Sequence, residues 1–271
     1  MKLFFQTLVM AALYVAVGCQ SEAPPPAPEQ APTGESAAAP SLDPDIGRAI
    51  LANPIRTQEA RDRDPRSKPE VILSLLDLKP GDRAIDIFGG SGYYTDLMAG
   101  MVGETGEVIL YNNSPFHTFV EERVQPRYID DPIPGIRYLK SEVDDLQLEP
   151  ESLDAALIVM AYHDLYYFNP GVGFGEVDVP LFFAQIHAAL KAGGKLLIVD
   201  HAAKAGSGKE AAQHLHRIDE EFAIQDIESH GFKLVETSDA LRNPEDDRQK
   251  MVFDAEFRGR TDRFILLFEK Q

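Results

Sequence analysis

Cysteine, tryptophan and basic side chains are scarce in this chain. Its 271 residues include one cysteine, Cys19, and no tryptophan, and 26 basic residues stand against 44 acidic ones, for a formal net charge of −18. A single cysteine excludes an internal disulfide and makes a thiol nucleophile a poor hypothesis. The deficit of positive charge argues against binding to phosphate backbones, so we predict no nucleic-acid partner.

Extended apolar segments are also rare, and the clearest one lies at the N-terminus. Lys2 precedes the apolar run Leu3–Val17, which is too short to span a bilayer comfortably. The run ends in Ala-Val-Gly-Cys and resembles the lipobox of bacterial lipoproteins. We therefore predict a signal peptide over residues 1–19, lipid attachment to Cys19 and, since Gln20 replaces a retention aspartate, an outer-membrane anchor facing the periplasm. The alternatives are an ordinary secretory signal and an uncleaved anchor.

The next segment, residues 20–45, is rich in Pro, Ala, Glu and Ser and has almost no large apolar side chains. Such a composition cannot bury enough surface to offset its ordering entropy, so it predicts a disordered tether. One globular domain is expected over residues 46–271.

A glycine-rich turn after a buried strand is the most informative motif in that domain. The strand carries Asp86 and leads into Gly89, Gly90 and Gly92, followed by a helical pattern. Glycines let a ligand approach the backbone, and the helix start offers free N–H groups. A dinucleotide fingerprint would need a third glycine at Thr95, so that class is excluded.

An acidic residue on a first strand followed by G-x-G resembles motif I of the class I S-adenosylmethionine-dependent methyltransferases. The run L-K-x-G-G-x-L-x-I-x-D over Leu190–Asp200 is a second resemblance to them. In that family the turn surrounds the methionine moiety, and the strand-end acid lies near its amino group. The resemblance implies S-adenosyl-L-methionine as cofactor. It implies these cofactor residues in the turn: Asp86, Phe88 (usually glycine in the family), Gly89, Gly90 and Gly92.

The same resemblance assigns two further cofactor contacts. The second strand ends in Asn112, where the family carries an acid for the ribose hydroxyls; a simple asparagine turn is the alternative. The segment after the third strand corresponds to the adenine pocket, with Glu142 as the acid and Val143 as the backbone donor. Asp144 competes with Glu142 for that role, and a solvated acidic turn is the alternative reading.

Apolar segments alternate with helical patterns through the domain, which is typical of parallel α/β folds. The expected architecture is a Rossmann-like, doubly wound, seven-stranded, mostly parallel sheet with an antiparallel C-terminal strand. We also predict one long helix over Lys209–His230. The predicted strands are Ala84–Phe88, Gly106–Asn112, Ile136–Leu139, Ala155–Ala161, Lys195–Asp200, Phe232–Ser238 and Arg263–Glu269.

His163 and Asp164 follow the fourth strand, where such folds bind ligands between the first and fourth strands. A neutral imidazole there would deprotonate an acceptor, with a carboxylate fixing its tautomer. We therefore name both residues as catalytic candidates and expect the orienting acid to be a different residue. The alternative is a histidine that caps the strand end.

Two further patterns leave alternatives open. The pairs His163-Asp164 and Asp200-His201 suit a divalent metal, but no helix carries a paired-ligand spacing, so we assign no metal ligand. Several arginines between the last two strands suit an anion clamp for the substrate or simple pairing with nearby aspartates.

Short motifs over residues 46–271 (F-G-G-S-G-Y-Y, Y-H-D, L-H-R-I-D and L-R-N-P-E-D-D-R) resemble a group of predicted exported bacterial methyltransferases. The expected function is S-adenosylmethionine-dependent methyl transfer to a small-molecule acceptor. The alternatives are a non-catalytic periplasmic binding protein on the same fold and, more weakly, a metal-dependent hydrolase or lyase.

Overall fold

The computed structural model describes residues 42–271. The predicted signal peptide, Cys19 and nearly all of the predicted tether lie outside the described residues. Within residues 42–271, no helix combines the length and the apolar character needed to cross a membrane.

Seven strands form one sheet in the order β3-β2-β1-β4-β5-β7-β6. The first five strands run parallel, and β7 pairs antiparallel with both β5 and β6. This confirms the predicted fold class. The strands are β1 (Arg83–Ile87), β2 (Glu107–Asn112), β3 (Ile136–Lys140), β4 (Leu153–Val159), β5 (Leu190–His201), β6 (Phe232–Ser238) and β7 (Arg263–Lys270).

Helices cover both faces of the sheet, as the unbroken apolar character of the central strands predicts. Ile85 and Ile87 pack toward α6 (Val179–Ala189) and α8 (Glu220–Ser229). Ala84 packs toward α3 (Pro69–Leu76) and α4 (Tyr93–Val102) on the other face. Successive residues of one strand therefore supply two separate cores. The helices are α1 (Pro44–Leu51), α2 (Gln58–Ser67), α3 (Pro69–Leu76), α4 (Tyr93–Val102), α5 (Ser114–Val124), α6 (Val179–Ala189), α7 (Glu210–Leu215) and α8 (Glu220–Ser229).

The single helix predicted over Lys209–His230 is wrong, because the chain leaves helical geometry between α7 and α8. His216 adopts a left-handed φ of 52°, and the Asp219 side chain caps the first turn of α8. Between them, the fully buried Arg217 donates to the carbonyl of Ala202 and forms an ion pair with Asp246. The break follows from that inward-pointing arginine, since a continuous helix would carry its guanidinium away from these partners.

Candidate active site at the carboxyl ends of β1 and β4

The glycine turn after β1 has the backbone geometry that a ligand-binding turn needs. Gly90 has a φ of 60°, and a Cβ there would meet no atom within 4 Å, so its surface is open. At Gly92, where φ is 87°, a Cβ would clash with the hydroxyl of Tyr128. One glycine therefore leaves room for a ligand, and the other admits a neighbouring side chain.

Phe88 departs from the family pattern in residue type but not in conformation. Its φ is 53°, the left-handed region in which glycine is favoured. The ring stacks on Phe116 at 4.8 Å and on Phe182 at 5.7 Å between centroids. This packing offsets the strain of the backbone and explains how a phenylalanine is tolerated at a glycine position.

The Asp86 side chain stabilises the glycine turn by joining the two elements that flank it. Its carboxylate accepts a hydrogen bond from the Thr95 hydroxyl at 2.7 Å and thereby ties β1 to the first turn of α4. Burial raises the pKa of Asp86 to about 6, against the lowering effect of the Thr95 hydrogen bonds. The side chain is 2% exposed, so Asp86 acts on a ligand through the turn that it holds.

Asn112 does not present the predicted ribose contact. Its side-chain oxygen accepts from the Gly90 N–H at 3.0 Å, and its amide nitrogen donates to the Gly90 carbonyl at 2.9 Å. The residue is fully buried and braces the glycine turn. Its neighbour Asn113 lies on a cavity wall instead and caps α5 by accepting from the Phe116 N–H.

The predicted adenine-pocket residues lie on a cavity of about 370 Å³. Glu142, Val143 and the competing Asp144 all line it, together with Phe88. Ser114 donates a hydrogen bond to the Glu142 carboxylate, and the Val143 carbonyl accepts from Gln185 at 3.0 Å. The three residues therefore lie together at one cavity, while their adenine role and the choice between Glu142 and Asp144 stay predictions.

His163 lies in the turn that follows β4, beside the end of β5. Its Nδ1–H donates to Asp200 Oδ1 at 2.8 Å, and its backbone N–H donates to Asp200 Oδ2 at 2.8 Å. The orienting acid is thus a residue of the neighbouring strand. Asp164 lies on the other side of the ring, with Oδ1 3.4 Å from Nε2.

The protonation of His163 bears on its predicted role as a base. Burial alone lowers the pKa of this imidazole, but the carboxylates of Asp164 and Asp200 outweigh burial and raise the pKa to about 9. At neutral pH the free ring therefore carries two protons. A general base needs a vacant nitrogen, so this geometry argues against that role, which stays a prediction.

Two further histidines belong to this group. The sequence predicted His201 beside His163 at a neighbouring strand end, whereas it left open whether His216 faces the pocket or solvent. His216 Nδ1 lies 3.4 Å from Asp164 Oδ1, because the left-handed end of α7 turns the ring inward. His201 Nδ1 lies 2.6 Å from the Thr261 hydroxyl. Burial, followed by the charge of His163, lowers the pKa of His201 well below its ordinary value.

A larger cavity of about 670 Å³ adjoins these residues. Ser91 and Tyr93 line it at the start of α4, and His163 lines it at the end of β4. It shares Phe116, Asp164 and Phe174 with the smaller cavity, so the two volumes meet across these three side chains. Volumes of this size are typical of small-molecule sites.

Most arginines between β6 and β7 form salt bridges with carboxylates. This agrees with the predicted pairing and not with the alternative of an anion clamp. The pairs are Arg242–Glu220 at 2.5 Å, Arg248–Asp262 at 2.8 Å and Arg260–Glu245 at 3.2 Å.

Five arginines line the larger cavity. Arg123 and Arg127 are paired with Glu59 and Asp96, and the other three are Arg63, Arg66 and Arg258. Within residues 42–271, none of the three forms a salt bridge with a carboxylate, and Arg63 lies over the ring of Tyr93 at 4.1 Å. Two of them, Arg63 and Arg66, belong to α2, which the sequence marked only as a charged segment.

Comparison with known proteins places this geometry in a family context. Residues 66–118 match the sequence model of a family described as protein-L-isoaspartate(D-aspartate) O-methyltransferase. A solved S-adenosylmethionine-dependent methyltransferase from Aquifex aeolicus superposes with a TM-score of 0.54 at 19% identity, covering 85% of this chain and all of the other. The fold is that of the class I S-adenosylmethionine-dependent methyltransferases. The predicted resemblance is confirmed.

The matches to curated relatives cover a smaller part of the chain. The chain is 25% identical over 146 residues to the ubiquinone/menaquinone biosynthesis C-methyltransferase UbiE of Teredinibacter turnerae, covering 53% of each protein. It is 29% identical over 134 residues to the 2-phytyl-1,4-naphtoquinone methyltransferase of Nostoc sp., covering 48% of this chain and 52% of the other. The chain thus spans about half the length of these relatives.

The methyltransferase fold alone does not decide the reaction. The [4+2]-cyclase SpnF superposes equally well, with a TM-score of 0.54 at 16% identity over 81% of this chain and 85% of the other. Function therefore has to be argued from the site.

Proposed function

We propose that the protein transfers a methyl group from S-adenosylmethionine to a small planar acceptor of the quinone class. The two curated relatives compared above are named as a methyltransferase of ubiquinone and menaquinone biosynthesis and a naphthoquinone methyltransferase. A solved structure with the same fold is named as an S-adenosylmethionine-dependent methyltransferase. The observation that carries the proposal is the meeting of two cavities at the carboxyl ends of β1 and β4. One holds the predicted adenine residues, and the other has space for an acceptor.

The residues present fit the methionine part of the cofactor at the glycine turn and its adenine at the smaller cavity. They fit its ribose less well. At Gly90 the backbone is open, with no atom within 4 Å of where a Cβ would lie, so a ligand would have room to approach it. Glu142 and Val143 line the cavity predicted for adenine. Asn112, bonded to Gly90, offers no free group to the ribose hydroxyls, so Asn113 on the cavity wall is the nearer candidate.

The chain contributes chiefly positioning to the proposed reaction. Bound S-adenosylmethionine supplies an activated methyl group on sulfur. The strand-end turn holds the donor, the shared residues Phe116, Asp164 and Phe174 border both volumes, and the acceptor lies in the larger one. Alignment of donor and acceptor accounts for a large part of catalysis in such displacements, so a free base is not a requirement.

The walls of the larger cavity favour a planar acceptor with an anionic substituent. Aromatic side chains, among them Phe116, Phe119 and Tyr167, offer faces for stacking. Arg66 and Arg258, without salt-bridged carboxylates in the described domain, suit a carboxylate, phosphate or ionised hydroxyl. Because the chain as a whole has a net charge of −18, this local concentration of positive charge distinguishes the cavity from the rest of the protein.

Calorimetric titration of the full chain with S-adenosylmethionine and with its demethylated product tests the cofactor. We expect binding to wild type that is lost in Gly90→Val, because a branched side chain would occupy the open space at the glycine turn. Gly103→Val is the matched control: Gly103 also has a positive φ and open space around a Cβ, but it follows the C-terminal end of α4, away from the turn after β1. Equal loss in both variants, or no binding to wild type, would remove the cofactor from the proposal.

A non-catalytic binding protein is the second candidate. The engagement of Asn112 by Gly90 favours it, since the side-chain amide at the end of β2 is bonded to the turn and the position has no carboxylate for the ribose hydroxyls. Incubation with S-adenosylmethionine and reduced naphthoquinones separates the two functions. Formation of demethylated cofactor supports the enzyme, and tight binding without turnover supports the binding protein.

For location, we propose lipid attachment to Cys19 and an outer-membrane anchor facing the periplasm. The support is the sequence pattern Ala-Val-Gly-Cys, followed by Gln20. Metabolic labelling with a fatty acid tests it: wild type should incorporate label and Cys19→Ala should not. Labelling of both proteins, or of neither, would contradict the anchor.

A further inference from the structure

Three side chains that could ligate a metal converge at the inner wall of the larger cavity. His163 comes from the turn after β4, Asp164 is its neighbour, and His216 comes from the end of α7. One ligand atom from each lies within 4.8 Å of the others. The convergence depends on the break between α7 and α8, because that break turns His216 inward.

The distances suit an ion better than direct hydrogen bonds. Asp164 Oδ1 lies 3.4 Å from His163 Nε2 and 3.4 Å from His216 Nδ1. Both separations exceed the usual range for an N–H···O hydrogen bond, about 2.7–3.2 Å. Ligand atoms bound tetrahedrally at about 2.0–2.1 Å from a metal lie ~3.3 Å from one another. The spacing around Asp164 is thus that of neighbouring ligands on one ion.

A second observation is the orientation of His163. Its Nδ1 is occupied by the buried carboxylate of Asp200 at 2.8 Å, which leaves Nε2 directed at Asp164 and the cavity. Metal-binding histidines commonly donate their other N–H to a carboxylate in this way, which fixes the ring and increases its basicity. Asp200 is itself held, since it also accepts from the backbone N–H groups of His163 and His201.

We propose that His163, Asp164 and His216 bind one divalent transition-metal ion, with Asp200 as the positioning residue behind His163. Two imidazoles and a carboxylate are a donor set that suits Zn²⁺ and related borderline ions better than Mg²⁺ or Ca²⁺. Three protein ligands leave a coordination position open. All three residues line the larger cavity, so that position is available to water or to an oxygen atom of a cavity ligand. This metal binding is independent of the proposed methyl transfer.

Equilibrium dialysis of the full chain, free of any affinity tag and stripped with a chelator, against Zn²⁺ tests the site. We expect one Zn²⁺ per chain at saturation. His216→Gly removes one ligand while keeping a residue suited to the left-handed backbone, and Asp164→Asn removes the charged ligand. Each should weaken Zn²⁺ binding at least about 10-fold, and Asp200→Asn should weaken it by about 10–100-fold, because Asp200 holds the His163 ring in place.

His214→Ala is the matched control, because His214 is an exposed histidine on the same helix outside the cluster. It should bind Zn²⁺ as wild type does. Circular dichroism and thermal unfolding of each metal-free variant establish that it is folded. Stoichiometric binding that survives both ligand substitutions, or that is lost equally in His214→Ala, would overturn the proposal. So would the absence of binding to the wild-type chain.

Discussion

Replacing Arg217 by Met should destabilise the domain severely. Arg217 and Asp246 form an ion pair at 2.9 Å in which both side chains are fully buried. The guanidinium also donates to the carbonyls of Lys250 at 2.8 Å and Ala202 at 3.0 Å. Methionine replaces the unbranched chain of the arginine up to Nε, but it leaves two carbonyls without their arginine donor and a carboxylate buried without its cation.

The magnitude follows from the uncompensated charge. Removing one partner of a buried ion pair costs about 3–5 kcal/mol. In Arg217→Met, Asp246 keeps only backbone donors, the N–H groups of Arg248 at 2.9 Å and Asp262 at 2.7 Å. For a domain of this size we expect the midpoint of thermal unfolding to fall by roughly 6–20 °C, at 2–4 °C per kcal/mol.

Urea unfolding monitored by circular dichroism measures the loss, and Arg260→Met is the control. Arg260 pairs with Glu245 at 3.2 Å, but the two side chains are 55% and 75% exposed. An exposed pair contributes about 1 kcal/mol or less. If Arg217→Met costs no more than Arg260→Met, the argument from the buried charge is wrong.

Two further predictions concern the glycine turn. Because the folded pKa of Asp86 is raised to about 6, its protonated form stabilises the fold; this contribution is complete below pH 4 and is lost as the pH rises through 6. Relative to Asp86→Asn, the wild-type free energy of unfolding should therefore fall by about 3 kcal/mol between pH 4 and pH 8, measured by urea unfolding, and parallel pH profiles would contradict this. Phe88→Gly should relieve the left-handed backbone but lose the stacking on Phe116 and Phe182. We expect a net destabilisation of about 2–3 kcal/mol in the same assay, and a more stable variant would show that the strain outweighs the packing.

Elements with a strong local pattern could be predicted from the sequence, and elements determined by distant partners could not. The strands β1, β4 and β5 are mostly apolar, and β1 and β5 also adjoin or contain glycines, so their type and order followed from pattern and resemblance. The break after α7 depends on Asp246, which lies 29 residues beyond Arg217 in the sequence. No local signal at Arg217 distinguishes a buried cation from a solvated one.

The residues of the candidate site also fall into a predictable group and an unpredictable one. The positions of Gly90, Glu142 and His163 could be predicted, because they depend on the course of the backbone and the topology determines that course. Side-chain direction decided the outcome for Asn112, which turns to Gly90, and for His216, which turns into the cavity. Such directions depend on neighbours from other elements, and one sequence does not contain that information.

The position of β7 has a consequence for how the protein is made. β7 comes after β6 in the sequence but lies between β5 and β6 in the sheet, so β6 has no partner until β7 is present. Residues just before β7 contribute to the larger cavity, because Arg258 and Gly259 line it and Thr261 contacts His201, which also lines it. A chain emerging from a ribosome therefore cannot complete either the sheet or the site before residue 270 is synthesised.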